Sequence, residues 1–234
     1  MADLWPRVSR LGEETWLVEF EPRLDEAINQ RVLQLAADVG AARIPGVRDI
    51  VPAVASLAVH ADGDRVDERA LEQELSHLAA KSPIDATAPV HHEIPACYEG
   101  PYAPDLAEVA SRCRCREQDV IEWHAARDYR VFMIGFLPGF PYLGLLDSRL
   151  ALSRRVTPRL AVAAGSIGVA GRQTGIYPST SPGGWHIIGR TPLALFNPEW
   201  HPPARLSAGD RVRFVPIGAG EFASLTAEAG GTRS

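Results

Sequence analysis

The glycine distribution most strongly constrains the fold of this chain. Half of its 20 glycines lie between residues 135 and 189, roughly a quarter of its length, and they alternate with Phe, Tyr and Trp. The densest segments are GFLPGFPYLG at 135–144, AGSIGVAGRQTGIYP at 164–178 and SPGGWHIIGRTP at 181–192. Glycine serves where the backbone takes positive φ or where another group approaches it closely. The pattern, which is unlike a flexible linker, predicts rigid turns that hold aromatic side chains around a pocket or an interface.

The same stretch is cationic within an acidic protein. Residues 130–197 contain one acid, Asp147, whereas the whole chain has a net charge of −5. The seven arginines of this stretch are Arg130, Arg149, Arg154, Arg155, Arg159, Arg172 and Arg190. Such a surface favours an anionic ligand or an acidic partner. Because Lys81 is the only lysine, arginine carries nearly all positive charge everywhere, and composition is an equally good explanation.

Length and composition indicate an ordinary globular protein with one large or two small domains. The first residues show no secretory signal, and no apolar run is long enough for a membrane span, so we expect a cytoplasmic protein. The net charge argues against a nucleic-acid binder. The three cysteines, Cys97, Cys113 and Cys115, form no disulfide framework. We expect reduced thiols and no metal site.

Hydrophobic periodicity in the first third of the chain predicts a small α+β domain. Strands are expected at 5–9, 15–20, 47–54 and 56–60, and helices at 24–42 and 67–80, which gives the order ββαββα. Asp67 is the expected N-cap of the second helix. A linker at 81–89 would separate a domain at 1–84 from a second domain at 90–225.

The second domain begins with a predicted strand at 91–97. Two short helices follow, at 105–112, with Asp105 as N-cap, and at 117–126. The second of these helices lacks the basic residues of a DNA-reading element. Further strands are predicted at 131–136, 166–170, 186–189, 193–196 and 211–216, and they indicate a closed or nearly closed β structure. The tail after Phe222 is expected to fray.

The three glycine-aromatic segments, with YRVFMI before them and SAGDRVRFVP at 207–216, resemble the KipI family. Its members are known as the 5-oxoprolinase B subunit, allophanate hydrolase subunit 1 or the sporulation kinase inhibitor KipI. The resemblance implies a small α+β domain followed by a cyclophilin-like β-barrel domain with short helices. It also implies two partners, a KipA-like C subunit and a third chain, the A subunit, which together with the B subunit cleave 5-oxoproline to glutamate with ATP. In related fused enzymes the paired domains form a carboxyltransferase half.

Several residues of the motif stretch have side chains suited to this chemistry. His186 is the stretch's only histidine and a candidate acid or base, although a structural role is equally consistent with its apolar surroundings. Gln173 and Tyr177, the other catalytic candidates, offer hydrogen bonds to a lactam or carboxylate, with the closing of turns as their structural alternative. Arg172 and Arg190 are candidate clamps for a carboxylate or phosphoryl oxygen.

The remaining candidates would shape the substrate site. The turn containing Ser166 and Gly168 offers backbone N–H groups to an oxyanion. Phe140, Tyr142 and Trp185 would form apolar walls, but core or interface packing is an alternative for aromatic residues. Ser166 is not in a G-x-S-x-G elbow, so no serine nucleophile is expected.

The motif stretch lacks a phosphate-binding loop and a cluster of carboxylates for Mg²⁺. We therefore expect half a site, completed by the KipA-like partner, in a chain that is inactive alone. ATP, with Mg²⁺, would be a co-substrate of the complex and would not bind this chain by itself. The alternatives are a binding module that inhibits a histidine kinase, and a carboxyltransferase or allophanate hydrolase-related subunit. A proline isomerase is a further alternative, but only the cyclophilin-like fold suggests it, and fold alone does not establish function.

Overall fold

A computed structural model describes residues 5–81 and 88–231 of the chain. The chain forms two compact units that divide between Ala88 and Pro89. Most of the predicted linker at 81–89 lies outside the described residues. Within the described ranges, no helix combines the length and the apolar character that crossing a bilayer would require.

The first unit has the predicted order ββαββα. Its elements are β1 (Arg7–Arg10), β2 (Thr15–Glu19), α1 (Glu26–Ala42), β3 (Val47–Pro52), β4 (Ser56–Ala61) and α2 (Glu68–Ala80). The antiparallel sheet has the order β1-β2-β4-β3, and both helices share one apolar core with it. Asp67 caps α2 as predicted, because its carboxylate accepts a hydrogen bond from the Ala70 N–H at 3.1 Å.

The second unit contains a closed barrel and confirms the predicted fold class. Its elements are β5 (His91–Cys97), α3 (Leu106–Cys113), α4 (Glu117–Ala125), β6 (Asp128–Ile134), β7 (Pro141–Gly144), β8 (Arg159–Val162), β9 (Ser166–Ala170), β10 (Gln173–Ile176), β11 (Ser181–Gly183), β12 (His186–Arg190), β13 (Arg211–Ile217) and α5 (Ala219–Gly231). Around the barrel the strand order is β10-β7-β6-β13-β5-β12-β9, while β8 and β11 form a separate two-stranded ribbon.

Alternation along the strands gives the barrel two different faces. Val169 and Ile176 belong to the large core that fills the barrel. Neighbouring positions point the other way, so Gly168 and Gly175 lie against aromatic rings of a second, smaller cluster. That cluster contains Phe140, Val162, Ala170, Tyr177, Trp185 and Ile187. The glycine-aromatic motifs therefore build an apolar layer on the outside of the barrel.

Two predictions about the second unit are wrong. Residues 193–196 form no strand, and only Phe196 makes an isolated bridge, to Ala204. Prolines at both ends of this segment, Pro192 and Pro198, have no N–H to donate to a ladder. Within the described residues, the tail after Phe222 continues helix α5 as far as Gly231, and the ring of Phe222 lies 4.2 Å from the ring of Tyr102. This ring contact packs the start of the helix against the rest of the unit, although the residues that follow are small and polar.

Candidate functional site

A cleft of about 240 Å³ opens on the outer aromatic layer of the barrel. Four of the predicted site residues line it, namely Phe140, Tyr142, Tyr177 and Trp185. The other lining residues are Phe136, Arg154, Pro158, Pro182, Gly183 and Gly184. The cleft is thus walled by rings and backbone from all three glycine-aromatic segments and by the loop that precedes β8.

Phe140 is the centre of the aromatic packing. Its ring meets the ring of Tyr177 at 5.1 Å and that of Trp185 at 5.7 Å, both nearly perpendicular, and that of Tyr142 at 4.9 Å. Edge-to-face contacts of this kind are the favoured geometry for aromatic pairs. Phe136 packs edge-on against Phe140 as well, yet 60% of its surface is exposed. The inner rings are therefore fixed, and Phe136 stands at the mouth.

Two glycines allow the rings to reach the backbone. A Cβ atom on Gly175 would lie 2.9 Å from Cζ of Phe140 and 2.9 Å from the carbonyl oxygen of Pro141. A Cβ atom on Gly183 would overlap the hydroxyl group of Tyr177. These contacts confirm that glycines of the motifs provide close approach to aromatic side chains.

The cleft combines apolar walls with two neutral phenols and one cation. Burial raises the pKa values of Tyr142 and Tyr177, and the nearby charge of Arg154 opposes the shift only partly. Both hydroxyl groups therefore stay protonated at neutral pH. Arg154 is exposed, and its guanidinium has no ion pair or hydrogen bond within the part of the chain that the structure describes. Chemically, such a cleft suits a small apolar ring that carries an anionic group.

A buried carboxylate positions the loop that carries Arg154. Asp105, whose side chain is 3% exposed, accepts hydrogen bonds from Arg159 at 2.6 and 2.8 Å and from Arg155 at 3.0 Å. It also accepts one from the backbone N–H of Ile187 at 2.7 Å. Asp105 precedes α3 as predicted, but its side chain makes no capping hydrogen bond, because the two arginines and β12 occupy its oxygens.

His186 lies outside the cleft and contacts the same loop. Its fully buried ring places Nε2 at 3.0 Å from the carbonyl oxygen of Ser153 and 3.3 Å from Nη1 of Arg112. The other nitrogen, Nδ1, is 3.9 Å from a carboxylate oxygen of Glu108. In this position His186 can orient the residues before Arg154, whereas the structure does not bring it to the aromatic walls.

Two of the predicted residues line a second, smaller cleft. Ser166 and Arg190 lie there together with Arg159, around a volume of about 120 Å³. Arg190 donates from Nε to the carbonyl oxygen of Ala164 at 2.7 Å. One of its donors is therefore already committed to the backbone.

The last three predicted residues lie outside both clefts. Gly168 lies beneath Trp185, whose Cβ would be 3.0 Å from an added Cβ. Gln173 is half-buried on β10 opposite Gly144, and Arg172 is exposed on the turn between β9 and β10. The roles predicted for these residues stay predictions.

Acids neutralise several cations of the predicted cationic surface. Arg149 pairs with Asp147 at 2.8 Å, and Arg155 and Arg159 pair with the two acids Asp105 and Glu108. Sequence reasoning did not single out Arg154 as a site residue or Asp105 as an anchor, because adjacent arginines look alike until their partners are known.

The described residues offer no resident metal site. Within those ranges, no group of three or more His, Cys, Asp or Glu side chains could hold a metal ion. All three cysteines are free thiols. The candidate site therefore consists of the aromatic cleft and its single cation.

Comparisons with known proteins agree with this architecture. A family model described as "Carboxyltransferase domain, subdomain C and D" matches residues 6–206. The chain belongs to this family. It is 37% identical over 230 residues to the 5-oxoprolinase B subunit of Bacillus subtilis (strain 168), covering 92% of this chain and 95% of the relative. It is 39% identical over 206 residues to the 5-oxoprolinase B subunit of Escherichia coli O157:H7, covering 88% and 94%. The family predicted from the motifs is thereby confirmed.

A solved structure extends the comparison. The chain superposes on the protein TTHA0988 with a TM-score of 0.78 and 38% identity, covering 88% of this chain. It spans only 40% of that protein's length. In TTHA0988 the matching region therefore forms one part of a longer polypeptide.

Proposed function

We propose that this chain is the B subunit of a multi-subunit, ATP-dependent 5-oxoprolinase, which cleaves 5-oxo-L-proline to L-glutamate together with an A subunit and a KipA-like C subunit. The observation that carries the proposal is the 37% and 39% identity to two proteins named as this subunit, over nearly the whole length of each. Family membership supports the same assignment.

The aromatic cleft supplies a site of suitable chemistry for this substrate. 5-Oxoproline is a small lactam ring that bears one carboxylate. Phe140 and Trp185 offer apolar walls for the ring, and the protonated hydroxyl of Tyr177 is a donor for the lactam carbonyl. Arg154 at the mouth can form two parallel hydrogen bonds to the carboxylate.

In this proposal the cleft binds and orients 5-oxoproline, but its residues do not supply all the groups that the ATP-dependent cleavage requires. Apart from the two tyrosines, Arg154 is the only ionisable residue of its lining. The lining offers no carboxylate or imidazole that could take a proton or hold Mg²⁺. ATP and Mg²⁺ are therefore proposed as ligands of the other subunits, where ATP would supply phosphoryl activation of the lactam. The contribution of this chain would be half of a shared site.

An assay of glutamate release from 5-oxoproline with ATP tests the proposal. We expect activity when this chain is co-expressed with its two partner chains, and none with this chain alone or with the two partners alone. Turnover by the purified chain would contradict the shared site. Absence of turnover in a mixture of three folded chains would contradict the function itself.

One alternative has an observation in its favour. The family description names a carboxyltransferase domain, so a carboxyltransferase or allophanate hydrolase-related subunit is the second candidate. Such a subunit would need a separate chain that carries carboxylated biotin. Transfer of labelled carboxylate from such a carrier to urea, without glutamate release from 5-oxoproline, would favour it. The histidine-kinase inhibitor stays a prediction from the motifs alone.

A further inference from the structure

Three large, exposed apolar side chains lie in segments that contribute to the aromatic cleft or adjoin it. Phe136 is 60% exposed, Val156 102% and Leu160 92%. Val156 lies in the loop between two residues that line the cleft, Arg154 and Pro158. Leu160 is in β8, two positions before Val162, which is buried in the aromatic cluster. We call Phe136, Val156 and Leu160 the mouth patch.

Ion pairs and a backbone hydrogen bond attach the segments that carry Val156 and Leu160 to neighbouring parts of the unit. Arg155 and Arg159, which precede Val156 and Leu160 respectively, are anchored to Asp105. The backbone N–H of Arg155 also donates to the carbonyl oxygen of Gly184 at 2.8 Å. Single exposed apolar residues are common on protein surfaces. Several of them on segments that adjoin one cleft are instead typical of a protein–protein interface.

The strand that carries Leu160 also has a free edge. Among the described residues β8 pairs only with β11, in a two-stranded ribbon. Soluble proteins usually protect such edges with outward-facing charges. Here the neighbouring Arg159 is paired with Asp105, and Leu160 beside it is exposed. A partner chain that covers this surface would bury the leucine and could pair with the edge.

Charge decides which kind of partner fits. Arg155 and Arg159 are neutralised by Asp105 and Glu108, whereas Arg154 has no acidic partner among the described residues. In a two-fold symmetric dimer the patch would meet its own copy, so two Arg154 side chains would face one interface. A different chain, with an apolar surface flanked by acidic residues, complements the patch.

We propose that the mouth patch is the docking surface for a second, different chain of the oxoprolinase complex. This inference rests on the proposed function. That chain would contribute an apolar surface flanked by carboxylates and would close the aromatic cleft. The length of TTHA0988, in which the matching region is 40% of the chain, is consistent with a neighbour that is covalently attached in that protein. Closure would exclude water from the cleft and complete the half-site.

Binding of purified partner chains tests the proposal independently of activity. The variants are Val156→Asp and Leu160→Asp, each placing a charge in the proposed interface. The matched control is Val90→Asp, because Val90 is also exposed, at 58%, in the same unit and lies outside the patch. Affinity for each of the two partners would be measured by calorimetry, with unfolding curves to show that all variants are folded.

We expect the dissociation constant for one of the two partners to rise at least about tenfold in each patch variant, because a buried unpaired charge is costly. Val90→Asp should bind as the wild type does. Unchanged affinity in both patch variants would overturn the docking surface. Self-association of the isolated chain that Leu160→Asp abolishes would also overturn it, because the occupant would then be a second copy.

The two proposals fail in different ways. If the patch variants lose partner binding but the wild-type complex releases no glutamate, the docking surface stands and the oxoprolinase function falls. If the wild-type complex is active and the patch variants bind and turn over normally, the function stands and the docking surface falls.

Discussion

Arg159 donates two hydrogen bonds to the carboxylate of Asp105, from Nη2 at 2.6 Å and from Nη1 at 2.8 Å. The two residues are 54 positions apart in the chain. Together they tie the loop before β8, which carries Arg154 at the cleft mouth, to the start of α3. The pair thus connects a buried charge to the shape of the candidate site.

Replacing Asp105 with alanine should destabilise the protein by about 3 kcal/mol. The substitution leaves Arg155 and Arg159 partly buried without their carboxylate, and breaking such a buried pair from one side is costly. The free energy of unfolding in urea is the measurement. Asp128→Ala is the control, since Asp128 pairs with Arg213 on the surface, where both side chains are about half exposed. Exposed pairs contribute little, so equal losses in both variants would contradict the anchoring role.

Gly175→Ala tests the close approach of Phe140 to the barrel. Because the added Cβ would lie 2.9 Å from both the Phe140 ring and a backbone oxygen, we expect a loss of about 1–3 kcal/mol in the free energy of unfolding. Near-ultraviolet circular dichroism should also change as the aromatic cluster shifts. Gly220→Ala is the matched control, because nothing lies within 4 Å of an added Cβ in that helix. It should be neutral or stabilising.

How much of the fold and of the candidate site could be predicted from the sequence depends on whether the stabilising interactions are local or join residues far apart in the chain. Strands β5 and β9 were predicted at their observed limits, since local alternation or a run of apolar residues defines them. β7 and β10 were missed, because these four-residue segments contain glycine and gain their stability from neighbours in the barrel. The aromatic walls could be predicted from the composition of the motifs. Arg154 could not be distinguished from the nearby arginines, because the ion pairs of Arg155 and Arg159 with Asp105 join residues that are far apart in sequence.

The buried ring of His124 makes stability depend on pH. Thr174 donates to the Gly168 carbonyl, so it accepts from Nε2 of His124, at 3.0 Å, and Nδ1 then accepts from the hydroxyl of Tyr98, at 2.8 Å. The histidine is therefore neutral, and burial lowers its pKa to about 3.

Lowering the pH should reduce the free energy of unfolding through protonation of His124 in the unfolded chain. In the unfolded chain His124 binds a proton below its usual pKa of about 6.5, whereas the folded state stays unprotonated down to about pH 3. Stability is therefore fully present above pH 6.5 and is lost as the pH falls towards 3. Between pH 7 and pH 5 this group should remove about 2 kcal/mol. His124→Gln should lack this component, while Tyr98→Phe, which keeps the imidazole, should retain it. Parallel pH profiles for wild type and His124→Gln would contradict the assignment.

Arg154→Ala should weaken substrate binding in the reconstituted complex. If the guanidinium pairs with the carboxylate of 5-oxoproline, its loss should raise KM by about 10- to 100-fold with little change in kcat. Arg154→Lys should recover part of the affinity, because it restores the charge but not the paired donors. The control is Arg69→Ala, since Arg69 is exposed on helix α2 in the other unit. An unchanged KM in Arg154→Ala, with the complex intact, would place the carboxylate elsewhere, and the same assay on Arg190→Ala would then test the smaller cleft.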